Sequence, residues 1–250
     1  MEEIEAILLK VLSDLAALPE DEMGIALIGK RLSVLSHEDA AHFFELLYRR
    51  DPQELVTKRA RHMLINPEGL KRVLGVDACR HIYLASLKFG YTRISRLFTD
   101  LPPYRKGLAG YDKEEDVRME HISLGQRRAM SKRNIKDTID RLLSDPDPVV
   151  IGNILNNPRV TEREVLKIAS KRPNSPGILK LLSSHRVWSK RYSVIKAIAQ
   201  NPYTPPRISV ALLELMMSQD LRRLADDATV HPQVSLSAKD LLNERDKGSV

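Results

Sequence analysis

The residues of this chain best equipped for chemistry are cations. Residues 1–120 hold 18 Lys and Arg against 20 Asp and Glu, 18 − 20 = −2, whereas residues 121–250 hold 22 against 13, 22 − 13 = +9. The basic half contains Arg127, Arg128, Lys132, Arg133, Arg159, Arg163, Lys171, Arg172, Arg186, Lys190, Arg191 and Lys196. A set of this kind fits a phosphate backbone, an anionic membrane surface or an acidic protein, and the same side chains also solubilise exposed helix faces. These twelve are the candidate macromolecule-binding residues. Trp188 and Tyr192 stand four apart beside Lys190 and Arg191, a spacing that allows an aromatic-plus-cation arrangement. Core packing together with Val194 and Ile198 is the favoured reading of that pair.

Covalent and metal chemistry find little support. No phosphate-cradling loop is present, since Gly107-Leu108-Ala109-Gly110 lacks the Lys-Ser/Thr and the strand-to-helix setting. No Gly-x-Ser-x-Gly elbow occurs. His37 and His42 are five apart and fall on different helix faces. Asp77 with His81, and Glu38 with His42, are four apart and read as surface hydrogen bonds. Cys79 is the single cysteine, which excludes a disulfide framework or a multi-cysteine metal site within one chain. The expectation is therefore no catalytic, metal or cofactor site, in a protein that is not an enzyme.

Short helices must position the cations, and prolines punctuate them. Proline disfavours helix in the residue before it and fits the first helical position. Asp51-Pro52, Asn66-Pro67, Asp147-Pro148, Ser175-Pro176 and Thr204-Pro205 each pair a capping side chain with such a proline. Thr161 and Glu164 are spaced as a capping box. Apolar periodicity predicts helices over about 2–18, 22–35, 37–50, 76–89, 92–98, 124–132, 134–143, 148–155, 162–170, 176–183, 190–200, 205–217, 220–225 and 232–244, with Pro52 and Pro67 opening two more. In the first of them Ile4, Ile7, Leu8, Val11, Leu12, Leu15 and Leu18 recur at spacings of three and four, so one side is apolar. The leucine-rich, glycine-poor composition agrees with an all-α fold.

The chain accordingly divides into a helical region over 1–99, a linker or surface loop over 100–121, a helical-repeat region over 122–245 and a frayed tail over 246–250. Tyr104 and Tyr111 in the loop are expected to pin it to the body rather than to bind a partner. The acidic start Met1-Glu2-Glu3-Ile4-Glu5 is unlike a signal peptide, and no apolar run is long enough to span a bilayer. A cytoplasmic setting follows as the expectation.

Asp145-Pro146-Asp147-Pro148, Asn157-Pro158 with Thr161, Pro173-Asn174-Ser175-Pro176 and Asn201-Pro202-Tyr203-Thr204-Pro205 together resemble the leucine-rich-repeat-variant group of HEAT-like helical repeats. The resemblance covers about Leu142–Leu242. It implies alternating helices in a curved superhelix, here preceded by an amino-terminal helical bundle. Some relatives carry an iron–sulfur cluster on a separate cysteine-rich segment, which the single cysteine here does not reproduce. The function expected is a non-enzymatic scaffold that binds another protein through an extended, partly basic surface. The alternative is binding of a nucleic-acid phosphate backbone by the basic half.

Overall fold

Capping side chains and prolines set where each helix begins, and burial of one apolar face sets how it packs. The computed structural model describes residues 2–51, 54–63, 67–106 and 121–247. Among these the chain is all-α, with sixteen α-helices, one 3-10 turn and no strand. None of these helices is long and apolar enough to cross a membrane. The chain divides after Leu101 into two compact units. Tyr111, the centre of the predicted loop, Pro52 and Asn66 lie outside the described residues.

The first unit holds α1 (Glu2–Ala17), α2 (Asp21–Leu32), α3 (His37–Arg49), α4 (Leu55–Met63), α5 (Pro67–Leu74), α6 (Val76–Lys88) and α7 (Thr92–Leu97). Of the predicted apolar side, Ile4, Leu8, Val11, Leu12 and Leu15 are buried in α1, while Ile7 and Leu18, the latter just past the helix end, are only half-buried. Helix α3 is central: it packs on α1, α4, α6 and α7, and brings Phe43 and Phe44 into the core. Phe44 meets Phe98 with ring centroids 5.0 Å apart. Gly29 marks the approach of α2 to α5, where a Cβ would lie 1.8 Å from Val73 Cγ1. Arg61 is buried because its guanidinium donates to the last carbonyls of α3, at 2.9 Å to Tyr48 and 2.8 Å to Arg50. Those carbonyls have no partner within the helix, so the arginine satisfies orphan acceptors as they satisfy it.

The second unit holds α8 (Leu124–Ser131), α9 (Lys136–Leu142), α10 (Pro148–Leu155), α11 (Glu162–Ser170), α12 (Pro176–Ser183), the 3-10 turn Trp188–Lys190, α13 (Tyr192–Ala199), α14 (Pro206–Leu213), α15 (Ser218–Ala225) and α16 (Pro232–Lys247). Helices of eight or so residues are marginal alone, so packing stabilises them. Helix α10 lies between α8 and α12, while α11 packs on α13, α13 on α14, and α16 on both α14 and α15. Val150, Ile151, Ile154, Val165, Leu179, Leu182, Val194 and Ile198 fill the interior. Ahead of α8, Arg105 N–H donates to Pro202 C=O at 3.1 Å and the Tyr104 ring meets His231 edge-on.

Several predicted helices are shorter than their periodicity suggested, among them 22–35, which ends at Leu32, and 134–143, which spans Lys136–Leu142. The stretch 190–200 breaks at Arg191, whose extended backbone separates the 3-10 turn from α13. The stretch 205–217 begins at Pro206 and stops at Leu213. Pro205 precedes another proline and so cannot adopt the helical conformation easily. It takes the N-cap position in place of Thr204, whose buried hydroxyl donates to Ile198 C=O at 2.7 Å.

Candidate basic edge

The structure divides the twelve candidate cations into two classes. Five are held by their own fold. Arg127 Nε donates to the buried Asp145 carboxylate at 2.7 Å, and its Nη1 to Ile122 C=O at 3.1 Å. Arg128 grips Asp147 bidentately at 3.1 and 2.9 Å. This guanidinium is the main reason the Asp147 carboxyl stays below its usual range, and Asp147 also accepts Val150 N–H as the cap of α10. Lys171 Nζ donates to Ser144 C=O at 2.6 Å, and Arg172 Nη2 to Gln200 C=O at 2.9 Å. Lys196 pairs with the buried Asp220 at 2.8 Å. Lys136, just outside the set, is paired with Asp140 and Glu164.

The other seven are Lys132, Arg133, Arg159, Arg163, Arg186, Lys190 and Arg191. All are exposed, and none has a side-chain ion pair or hydrogen bond among the described residues. Their positions share a rule. Lys132 and Arg133 follow α8; Arg159 follows α10, with Arg163 in the first turn of α11; Arg186, Lys190 and Arg191 follow α12. Helices α8, α10 and α12 are neighbours in the fold, so the segments after them share one edge. Two hydrogen bonds tie those segments together: Asn157 Nδ2 donates to Arg133 C=O at 3.3 Å, and Trp188 Nε1 to Leu155 C=O at 2.9 Å. Of the five consumed cations, Lys171 and Arg172 follow α11, whereas Arg127 and Arg128 lie within α8 and Lys196 within α13.

Local acids do not neutralise this edge. Residues 151–200 hold ten Lys and Arg against two Asp and Glu, 10 − 2 = +8. Of the two acids, Glu164 is buried and accepts from Thr161 N–H at 2.7 Å, and Glu162 accepts from the Ser193 hydroxyl at 2.8 Å.

The aromatic-plus-cation arrangement does not form. Tyr192 sends its hydroxyl to Asp220 at 2.5 Å and accepts Met217 N–H at 3.1 Å, facing α15. Trp188 sits half-buried in the 3-10 turn against the end of α10. Between that turn and the loop after α10 lies an open groove of about 520 Å³, with Leu155, Pro158, Val160, Val187 and Trp188 as its apolar lining and Arg186 and His185 beside them. His185 is half-buried, which lowers its pKa, and its Nδ1 accepts from Val187 N–H and Trp188 N–H, each at 3.3 Å.

Elsewhere, the expected carboxylate–imidazole pairs are replaced by other partners. Glu38 takes Lys88 at 2.7 Å, His42 Nδ1 bonds the Tyr91 hydroxyl at 2.7 Å, and His81 stacks on His37 at 4.7 Å. Cys79 is buried, and no group of three His, Cys, Asp or Glu side chains that could hold a metal ion occurs among the described residues. Sequence reading missed the groove because it depends on the long-range Trp188–Leu155 bond. No protein-family model, curated protein or solved structure matches the chain.

Proposed function

We propose that the second unit is a non-enzymatic, HEAT-like helical-repeat scaffold that binds another protein along its basic edge. The observation that carries this reading is the placement of seven unpaired cations on the segments after α8, α10 and α12. Among the described residues, exposed cations without a side-chain partner also lie on α11 (Lys167), α15 (Arg222) and α16 (Lys239), but singly, whereas seven gather on this edge. A stack of short helices supplies the extended surface such binding uses. Tyr192 is turned toward α15 by its bond to Asp220, and Trp188 is fixed by its bond to Leu155 C=O, so the two rings do not form a stacking pair among the cations.

An exposed ion pair contributes only about 0.2–1 kcal/mol, so single substitutions are weak tests and a combined reversal is required. Replacing Arg159, Arg163, Arg186 and Arg191 by glutamate removes no side-chain hydrogen bond or ion pair among the described residues, and the melting midpoint is expected to change little. Affinity capture from nuclease-treated extract should recover partners with the wild type at low salt and lose them with the reversed variant. Retention of every partner by the variant would refute the edge. The rival is a phosphate backbone: a mobility shift with duplex or single-stranded DNA, weakening steeply with salt and abolished by the same reversal, would replace the protein reading.

A further inference from the structure

The groove beside Trp188 is not explained by charge alone. Val187 remains 45% exposed and Pro158 is also exposed, yet Arg159 and Arg186 are their immediate chain neighbours. A polyanion lying across the arginines would cover charge and leave this apolar lining wet. A ligand that satisfies both features carries carboxylates and an apolar group within a few residues of each other. A volume of about 520 Å³ exceeds what one aliphatic side chain fills. It lies within the range of about 300–1,000 Å³ typical of ligand sites.

We propose that the groove is the anchor site for an extended acidic peptide segment of the partner protein. One leucine-sized side chain seats against Val187, Pro158 and Trp188, and flanking carboxylates pair with Arg159 and Arg186. The proposal rests on the protein-binding reading of the basic edge and adds the chemistry of the segment recognised. Charge complementarity selects an acidic partner, and the apolar lining selects one with an anchor residue. The site is structurally prepared: Trp188 is held by Leu155 C=O, and the turn that presents Val187 is capped by His185.

Trp188 is the only tryptophan in the chain, so its emission reports the groove directly. The test uses the full chain and two synthetic tryptophan-free peptides of about eight residues, about 26 Å when extended. Both alternate glutamate and serine; one carries a central leucine and the other serine at that place. Peptide anisotropy gives affinity, and Trp188 emission gives location. The anchored peptide is expected to bind at least about tenfold more tightly, as burial of a leucine side chain implies. It alone should shift the Trp188 emission. Val187→Ser should erase the difference between the peptides without weakening the anchorless one. Arg159→Glu with Arg186→Glu should weaken both. Equal affinities with no emission change would overturn the anchor site while leaving the basic edge intact. Failure of both peptides to bind at low salt would overturn the site together with the protein reading of the edge. An oligothymidylate that displaces both peptides and shifts the emission more than either would assign the groove to nucleic acid and overturn the peptide site.

Discussion

Asn157 and Asn201 each stand before a proline, and each uses one end of its amide to close its own turn and the other to tie that turn to an earlier layer of the second unit. Asn201 is 2% exposed; its Nδ2 donates to Ala169 C=O at 2.8 Å and Lys171 C=O at 3.1 Å, and its Oδ1 accepts Tyr203 N–H at 3.1 Å. Asn157 repeats the pattern with Arg133 C=O and Arg159 N–H, at 3.3 and 3.1 Å. The partner carbonyls lie 24 to 32 residues earlier in the chain, at or just beyond helix C-termini with their unpaired acceptors. In the sequence these asparagines stand out only through the prolines that follow them, which disfavour helix at the residue before. Their second role was hidden because it depends on which earlier helix end packs alongside. Asn201→Ala leaves those buried groups unpaired and should cost about 1–3 kcal/mol. Asn201→Asp is close to isosteric and keeps the acceptor, but it sets a carboxylate against two carbonyl oxygens. It should therefore destabilise more than alanine at neutral pH. Urea unfolding midpoints of the two variants decide this, and an aspartate no worse than alanine would remove the amide donor from the account.

Most helix starts were legible from a capping side chain or a proline at the boundary. Ser36 accepts Asp39 N–H at 3.1 Å, Asp147 accepts Val150 N–H at 3.0 Å, and Ser123 and Gln126 exchange both bonds of a capping box. Ser175 occupies its expected N-cap but makes no side-chain bond there, and its own N–H is taken by Asn174. The twelve cations were indistinguishable by composition, since their partners lie far along the chain: Arg127 reaches Asp145, and Lys196 reaches Asp220, 24 residues on. Histidine capping was also unread. His185 Nδ1 accepts at the start of the 3-10 turn, and His231 Nδ1 accepts Gln233 N–H at 3.1 Å at the start of α16. Accepting requires a free lone pair, so both rings must be neutral there, and burial lowers both pKa values from 6.5. The unfolded chain therefore takes up protons first as pH falls. The stabilisation is fully present above about 6.5 and is lost as pH falls through the lowered folded-state values. The melting midpoint should drop between about pH 7 and about pH 5. His185→Asn with His231→Asn retains an acceptor that does not titrate and should flatten that drop. An identical pH profile in the double variant would exclude the two caps as its source.

At the scale of the molecule, each unit has its own interior, and the single tryptophan makes their stabilities separable. The first unit is centred on Phe43, Phe44, Leu47, Ile82 and Ile94, and the second on Ile139, Ile151, Ile154, Leu179 and Ile198. Charge separates them too: residues 1–101 hold 14 Lys and Arg against 15 Asp and Glu, 14 − 15 = −1, and residues 102–250 hold 26 against 18, 26 − 18 = +8. Far-ultraviolet circular dichroism reports helix in both units, whereas Trp188 emission reports only the second. Two units that unfold separately must give transitions that do not coincide between these probes. Phe44→Ala sharpens the comparison. The ring is fully buried against Phe43 and Phe98, and its loss should cost about 3–5 kcal/mol. That loss is expected to move the first unit's share of the dichroism transition to lower urea while the Trp188 midpoint stays in place. A Trp188 midpoint that falls in step with the dichroism would mean that the chain unfolds as one cooperative body. In that case a destabilising change in residues 1–101 would also alter the binding proposed for the basic edge. If the midpoint holds, charge reversal on that edge can be read as a change in binding alone.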